Sequence, residues 1–344
     1  LDALNGIGDG DPAQAGGAAT ARIETQIAQL DASVTAVGAG TFDINILEAD
    51  AIDLLDVDTA DGSIRVTTTN GTILATDVDS SNTDADANDI VLTTGGVGND
   101  ITIVNNGTIP GIDAGTANGD VFLNSAGGIV ELNNNTNNSI TADGLRLVTA
   151  NGEGVAAEAG DVTDADDNNL LDTTVNSLEA SISGSGLFLV NSQALNIEDL
   201  DLTGEGDGGA TAITSTAGTV RVNTTAGDIT ITELINATGQ LATLNADAGS
   251  INDNAPSDDG APVNDIVSDS LALRAANGVG AMSNRLEVNT ATLAYTVGAN
   301  GILLTDTAGG LTINNVDAIA SSSSAGVTEI TSATFLTVAH NVSS

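Results

Sequence analysis

Three stretches of this chain are copies of one another. That constrains the fold more than any other feature, because recurring segments share one structure and stack on their neighbours. Asp143–Gly154 matches Asp269–Gly280, and Leu4–Gly8 matches the end of both. A second block recurs as Ile23–Leu30, Leu171–Leu178 and Leu286–Leu293, with Arg22 and Arg285 in the same place before it. A third recurs as Ile46–Leu54, Leu189–Ile197 and, with one residue inserted, Leu304–Ile313. Between the blocks the copies differ by insertions, chiefly the acidic stretch Ala156–Asn169. The repeat length is roughly 115 to 145 residues. It divides the chain into a first unit over 1–142, a second over 143–268 and a partial third over 269–344.

Within each unit, short segments alternate apolar with polar or small residues, the period of a strand rather than a helix. They include Ile64–Val66, Ile73–Ala75, Ile90–Leu92, Ile101–Val104, Val121–Leu123, Ile129–Leu132, Leu145–Leu147, Val220–Val222, Ile229–Ile231 and Ile302–Leu304. Asn-Gly and Gly-Gly pairs at 70–71, 95–96, 127–128, 151–152, 277–278 and 309–310 separate them and supply left-handed corners. Ala18–Val34 taken alone reads as an amphipathic helix, but its Thr-rich matches at Leu171 and Leu286 make all three strand. Asn-Gly is also a hairpin signal, so antiparallel pairing stays open at this point.

Composition narrows the choice. Only Phe42, Phe122, Phe188, Phe335 and Tyr295 are aromatic, so the interior is built from small aliphatics and is expected to be too narrow for bulky rings. These features predict an all-β solenoid whose coils take roughly 20 to 25 residues and stack about 4.8 Å apart, making about 15 coils and a rod of order 70 Å. Tandem antiparallel β-sandwich domains are the alternative. The end coils carry no obvious polar cap, which predicts continuation into neighbouring repeats or self-association into a fibre.

The net charge is −41, from 47 acids against six arginines and no lysine. Such a field repels nucleic acid and anionic membranes. There is no cysteine and no apolar run long enough to span a bilayer. The chain opens at Leu1 without Met or a basic leader, which reads as a piece of something longer. An extracellular or cell-surface location is expected, with host or surface glycans as a further class of partner.

Leu171–Ala180, Gly186–Asn191 and Thr225–Ile231 resemble the repeat regions of large bacterial exoproteins, the filamentous-haemagglutinin-like adhesins. The resemblance covers nearly the whole chain. It implies a right-handed parallel β-helix with a structural or adhesive role outside the cell.

No enzyme is expected. Paired acids recur at Asp56 and Asp58, Asp77 and Asp79, Asp84 and Asp86, Asp164 and Asp166, and Asp199 and Asp201. In so acidic a chain such pairs arise by chance, and of the basic groups and aromatics that a carbohydrate-active β-helix uses, lysine is absent and aromatics are scarce. His340 stands alone and anchors neither a zinc nor a nucleophile site. Calcium is the one ligand weighed. Asp84, Asp86, Asn88 and Asp89, and Asp164, Asp166, Asp167 and Asn168, space hard oxygen ligands as cation loops do, though without the Gly and Glu of an EF-hand. A chain of calcium-rigidified β-sandwich domains, the alternative fold, is the alternative functional reading.

Overall fold

A computed structural model describes residues 2–3, 6–8, 22–35, 43–83, 88–105, 109–132, 138–150, 170–200, 211–254 and 264–343. These residues form strands and turns, with no helix among them. Among the described residues the pairings between strands are parallel, and the antiparallel contacts are two isolated bridges, Ala281 with Asn284 and Val316 with Ile319. Strands pair with segments one coil further along the chain, a β-helix-like arrangement. Hairpins and antiparallel sandwiches, the alternative left open by the Asn-Gly pairs, are not what the described strands build.

The chain divides into two compact units: residues 1–157, 167–177 and 200–208, and residues 158–166, 178–199 and 209–344. In the first unit three ladders of inward side chains make up each coil. One runs Ile44, Ile64, Ile90, Val121, Leu145, partner beside partner. The second runs Ile52, Ile73, Ile101, Ile129, and the third Ala32, Val57, Val78, Ile112, Ile140. Every one of these side chains is buried. Alternation of period two sends the next residue outward, so a slip of one position would expose a whole ladder.

The second unit repeats the plan. Its ladders are Leu187, Val220, Ala242, Leu271, Leu293; then Leu195, Ile229, Ile251, Val279, Ile302; then Ala180, Ile213, Ile235, Ile266, Val288. Two of the three copies of the second block hold their structure closely. Leu171–Ile182 and Leu286–Val297 are both twelve-residue strands with the same order of buried and exposed positions. The one-residue insertion at 304–313 falls in the turn between Gly301–Asp306 and Leu311–Ile313, where it leaves the register intact.

Two expectations are corrected. The interval between paired strands ranges from Leu286 beside Leu304 to Val78 beside Ile112, wider than 20 to 25 residues, because insertions enter at corners without disturbing the ladders. Among the described residues the interior also accepts one ring: Tyr295 points inward beside Leu273 and is fully buried. Phe122 instead faces outward beneath the guanidinium of Arg146, 4.9 Å from the ring centre. Reading Ile23–Leu30 as strand fits the structure at Ile23–Thr25 and from Gln29 onward.

A recurrent device closes the corners. The last inward residue of a strand is a Ser or Thr whose hydroxyl donates to the carbonyl of a glycine three residues on. The pairs are Thr59 to Gly62 at 2.6 Å, Thr68 to Gly71 at 2.5 Å, Ser125 to Gly128 at 2.8 Å, Ser215 to Gly218 at 3.2 Å and Thr224 to Gly227 at 3.3 Å. Each bond pins the turn to the end of its strand, and at Gly128 the carbonyl also accepts Ile101 N from the coil before at 3.0 Å. Glycine is required for closeness: a Cβ on Gly71 would lie 2.1 Å from the backbone nitrogen of Ala51 in the neighbouring corner.

Candidate functional site

The strongest candidate comes from register, not from sequence spacing. Asp253 ends the strand Ile251–Asp253, Asp265 immediately precedes Ile266–Ala275, and Glu287 is the second residue of Leu286–Val297. Because Ile266 pairs with Val288, Asp265 and Glu287 are carried onto adjacent coils. There Asp265 N donates to Glu287 O at 2.9 Å, and Glu287 N donates to the Asp265 carboxylate at 2.7 Å. Asn284 donates its amide to the Asp253 carbonyl at 2.8 Å. One carboxylate oxygen from each acid lies within 4.8 Å of the others, and all three residues are buried. Among the described residues this is the one such cluster of three metal-ligating side chains. Three hard oxygens at that separation suit a calcium-sized cation, which takes carboxylate and carbonyl ligands at about 2.3–2.6 Å.

The first unit builds the same corner with a different set. Ile129–Glu131 corresponds to Ile251–Asp253, and Ser139 N donates to Asp172 O at 2.8 Å as Asp265 N does to Glu287 O. The Asp172 backbone N–H in turn reaches the Glu131 carboxylate at 3.2 Å. Here serine stands where the second unit has Asp265.

A second acidic group lines the outside of the first unit. Asp58 pairs with Asp79 and Asp79 with Asp113, three coils in register, with Asp56 and Asp77 beside them. Burial, then a hydrogen bond shared with Asp56, then the charges of Asp56, Asp77 and Asp79 push the Asp58 carboxyl up to about 7. Burial, followed by the charges of Asp56, Asp79 and Asp113, raises Asp77 as well. Glu48 shows the reverse. Burial works against its charge but is outweighed by bonds from Thr25 Oγ1 and the backbone N–H groups of Ile27, Ala49 and Asp50, so its carboxyl is held below the usual range.

Of the calcium loops expected from sequence, Asp84, Asp86, Asp164, Asp166, Asp167 and Asn168 lie outside the described residues. Asn88 is buried and uses its amide on Ser80 O at 3.0 Å and Thr83 Oγ1 at 2.8 Å. The Asp89 carboxylate accepts from Asp120 N at 3.3 Å. His340 is more than a terminal residue. Its Nδ1 lies 2.8 Å from Asn315 Oδ1 and its Nε2 2.9 Å from Ser322 Oγ. That relay has the spacing of an activated serine, but Ser322 is fully buried and its Oγ also accepts Tyr295 N at 3.2 Å. It ties the last described coil to the one before it.

Nothing in the sequence singled out the triad. The one trace was an acid in second place in all three copies of the second block: Glu24, Asp172 and Glu287. Compared with protein families, curated proteins and solved structures, the chain has no significant match to any of them.

Proposed function

We propose that this chain is an extracellular structural or adhesive repeat protein that forms a rod or fibre and performs no catalysis. The finer architecture we infer is a right-handed β-solenoid, the hand following the resemblance to filamentous-haemagglutinin-like shafts. The observation that carries the reading is the set of in-register parallel ladders, in which one aliphatic position after another is filled across many coils. Such a structure grows by adding coils and presents long, regular outer faces. A field of −41 favours partners other than nucleic acid or anionic membrane, such as neighbouring repeats, other copies of the chain or surface glycans.

Calcium belongs to this reading as the ion that would brace the acidic corners, with Asp253, Asp265 and Glu287 as its best-formed seat. Negative-stain imaging of the purified chain tests the main proposal. Rods or filaments support it, and compact globules or strings of separate beads overturn it. Isothermal titration with calcium, paired with melting in chelator, tests the ion. Heat of binding and a lower melting temperature in chelator are the expected results.

A further inference from the structure

The longest-range side-chain contacts in the second unit converge on Asp317. After the strand Leu311–Ile313 the chain turns back across the outer face of the ladder, and Ile319 N donates to Val316 O at 2.9 Å to close a tight turn. The apex residues Asp317 and Ala318 have φ of 46° and 60°, the only non-glycine residues with positive φ among those described. A β-turn of this kind normally uses Asn, Asp or Gly at both positions, so Ala318 is held against its own preference.

What holds it is visible. The Asp317 carboxylate, 1% exposed, accepts from Arg221 at 2.7 Å, from Arg274 at 2.7 Å and from Thr243 Oγ1 at 3.1 Å. Arg274 also donates to the Asp317 carbonyl. Arg221, Thr243 and Arg274 belong to three successive coils, since Arg221 pairs with Thr243 and the strand of Thr243 pairs with that of Arg274. Val316 and Ile319 flank the apex and pack on Ala272 and Ala294, the outward residues of that coil and the next. The outward row shrinks from Arg221 through Thr243 to two alanines, which leaves room for the segment to lie flat.

We propose that residues 314–320 are a clasp. One buried carboxylate and two apolar flanks fasten four coils in register from outside, adding charge-assisted bonds to the backbone bonds that otherwise join coil to coil. Two of the six arginines in a strongly acidic chain reach this one residue. The inference rests on the structural reading for its purpose and on the contacts alone for its geometry.

Hydrogen exchange on the full chain, resolved by peptide mass spectrometry, tests it. Asp317→Ala removes the carboxylate that joins Arg221, Thr243 and Arg274 and is expected to speed exchange about tenfold or more in Thr219–Thr224, Ile235–Ala246 and Ile266–Ala275. The ladder strands of the first unit should keep their protection. Arg221→Met and Asp317→Ala together should cost less than the sum of the two made singly, since they remove one shared contact. Ala318→Gly keeps the carboxylate, relieves the turn and should slow exchange, which guards against reading a folding defect as a lost clasp. Unchanged exchange in Asp317→Ala, or an equal rise over all strands of both units, overturns the clasp. If imaging shows globules while exchange still follows Asp317, the clasp stands and the rod falls.

Discussion

The two units build the same acidic corner twice and fill it differently: Glu131, Ser139 and Asp172 in one, Asp253, Asp265 and Glu287 in the other. Backbone bonding across the corner is the same in both, Ser139 to Asp172 and Asp265 to Glu287. The ladders therefore fix where the groups stand, and a single residue decides whether the corner gathers two carboxylates or three. A repeat protein of this kind can vary its chemistry at a corner without altering the coil beneath it.

If the frameworks are equivalent, ladder substitutions at the two corners should cost the same. Ile140 and Ile266 occupy matching, fully buried positions. Ile140→Ala and Ile266→Ala are each expected to lose about 2–5 kcal/mol in urea unfolding. A large difference between them would break the comparison at its base.

The chemistry should separate where the frame does not. With calcium at a hundred times its dissociation constant, the wild-type chain should gain about 2.7 kcal/mol. Asp265→Ser, which copies the first unit's corner, should lose that gain and melt higher than wild type in chelator. Ser139→Asp should show the opposite on both counts. Differential scanning calorimetry of the three proteins reads the result.

The outer acids give a smaller effect with a sign set by linkage. Asp58 titrates near 7 in the folded chain, above its ordinary value of about 3.9. Its contribution to stability is fully present below about pH 4 and is lost as pH rises through 7. Asp58→Asn should stabilise at pH 8 by about 1 kcal/mol, the figure reduced because the group is half exposed and screened by solvent. Thermal melts should show that gain fading towards pH 4. Glu48 runs the other way: its bonds stabilise above the ordinary glutamate range and are lost in stronger acid. The smallest change is at the turns, where Thr68→Val removes the bond to Gly71 and should cost about 1 kcal/mol.

How much of this was legible follows from range. Strands such as Ile64–Val66 could be read because their alternation is local, and the matched blocks Leu171–Leu178 and Leu286–Leu293 fall within the equivalent strands Leu171–Ile182 and Leu286–Val297. The corner rule, Ser or Thr with Gly three residues later, was also present in the sequence but was masked by the abundance of both residue types. The acidic triad could not be read. Asp253 and Asp265 are separated by a variable insertion, and only the register of distant strands brings them beside Glu287. Asp317 meets Arg221 across 96 positions, a contact no local pattern encodes. Tyr295 shows why composition alone misled: a scarcity of rings limits how many are inside without forbidding one.

The central claim is in-register parallel stacking of coils, and a chain without cysteine allows it to be tested by cross-linking. Thr67 pairs with Thr93 on the next coil, and Thr93 with Asn124 on the one after. Thr67→Cys with Thr93→Cys should form a disulfide under mild oxidation, because adjacent strands lie about 4.8 Å apart. Thr67→Cys with Asn124→Cys spans two coils, beyond the roughly 7 Å that a disulfide bridges, and should stay reduced. Bridging of the second pair but not the first would contradict the stacking.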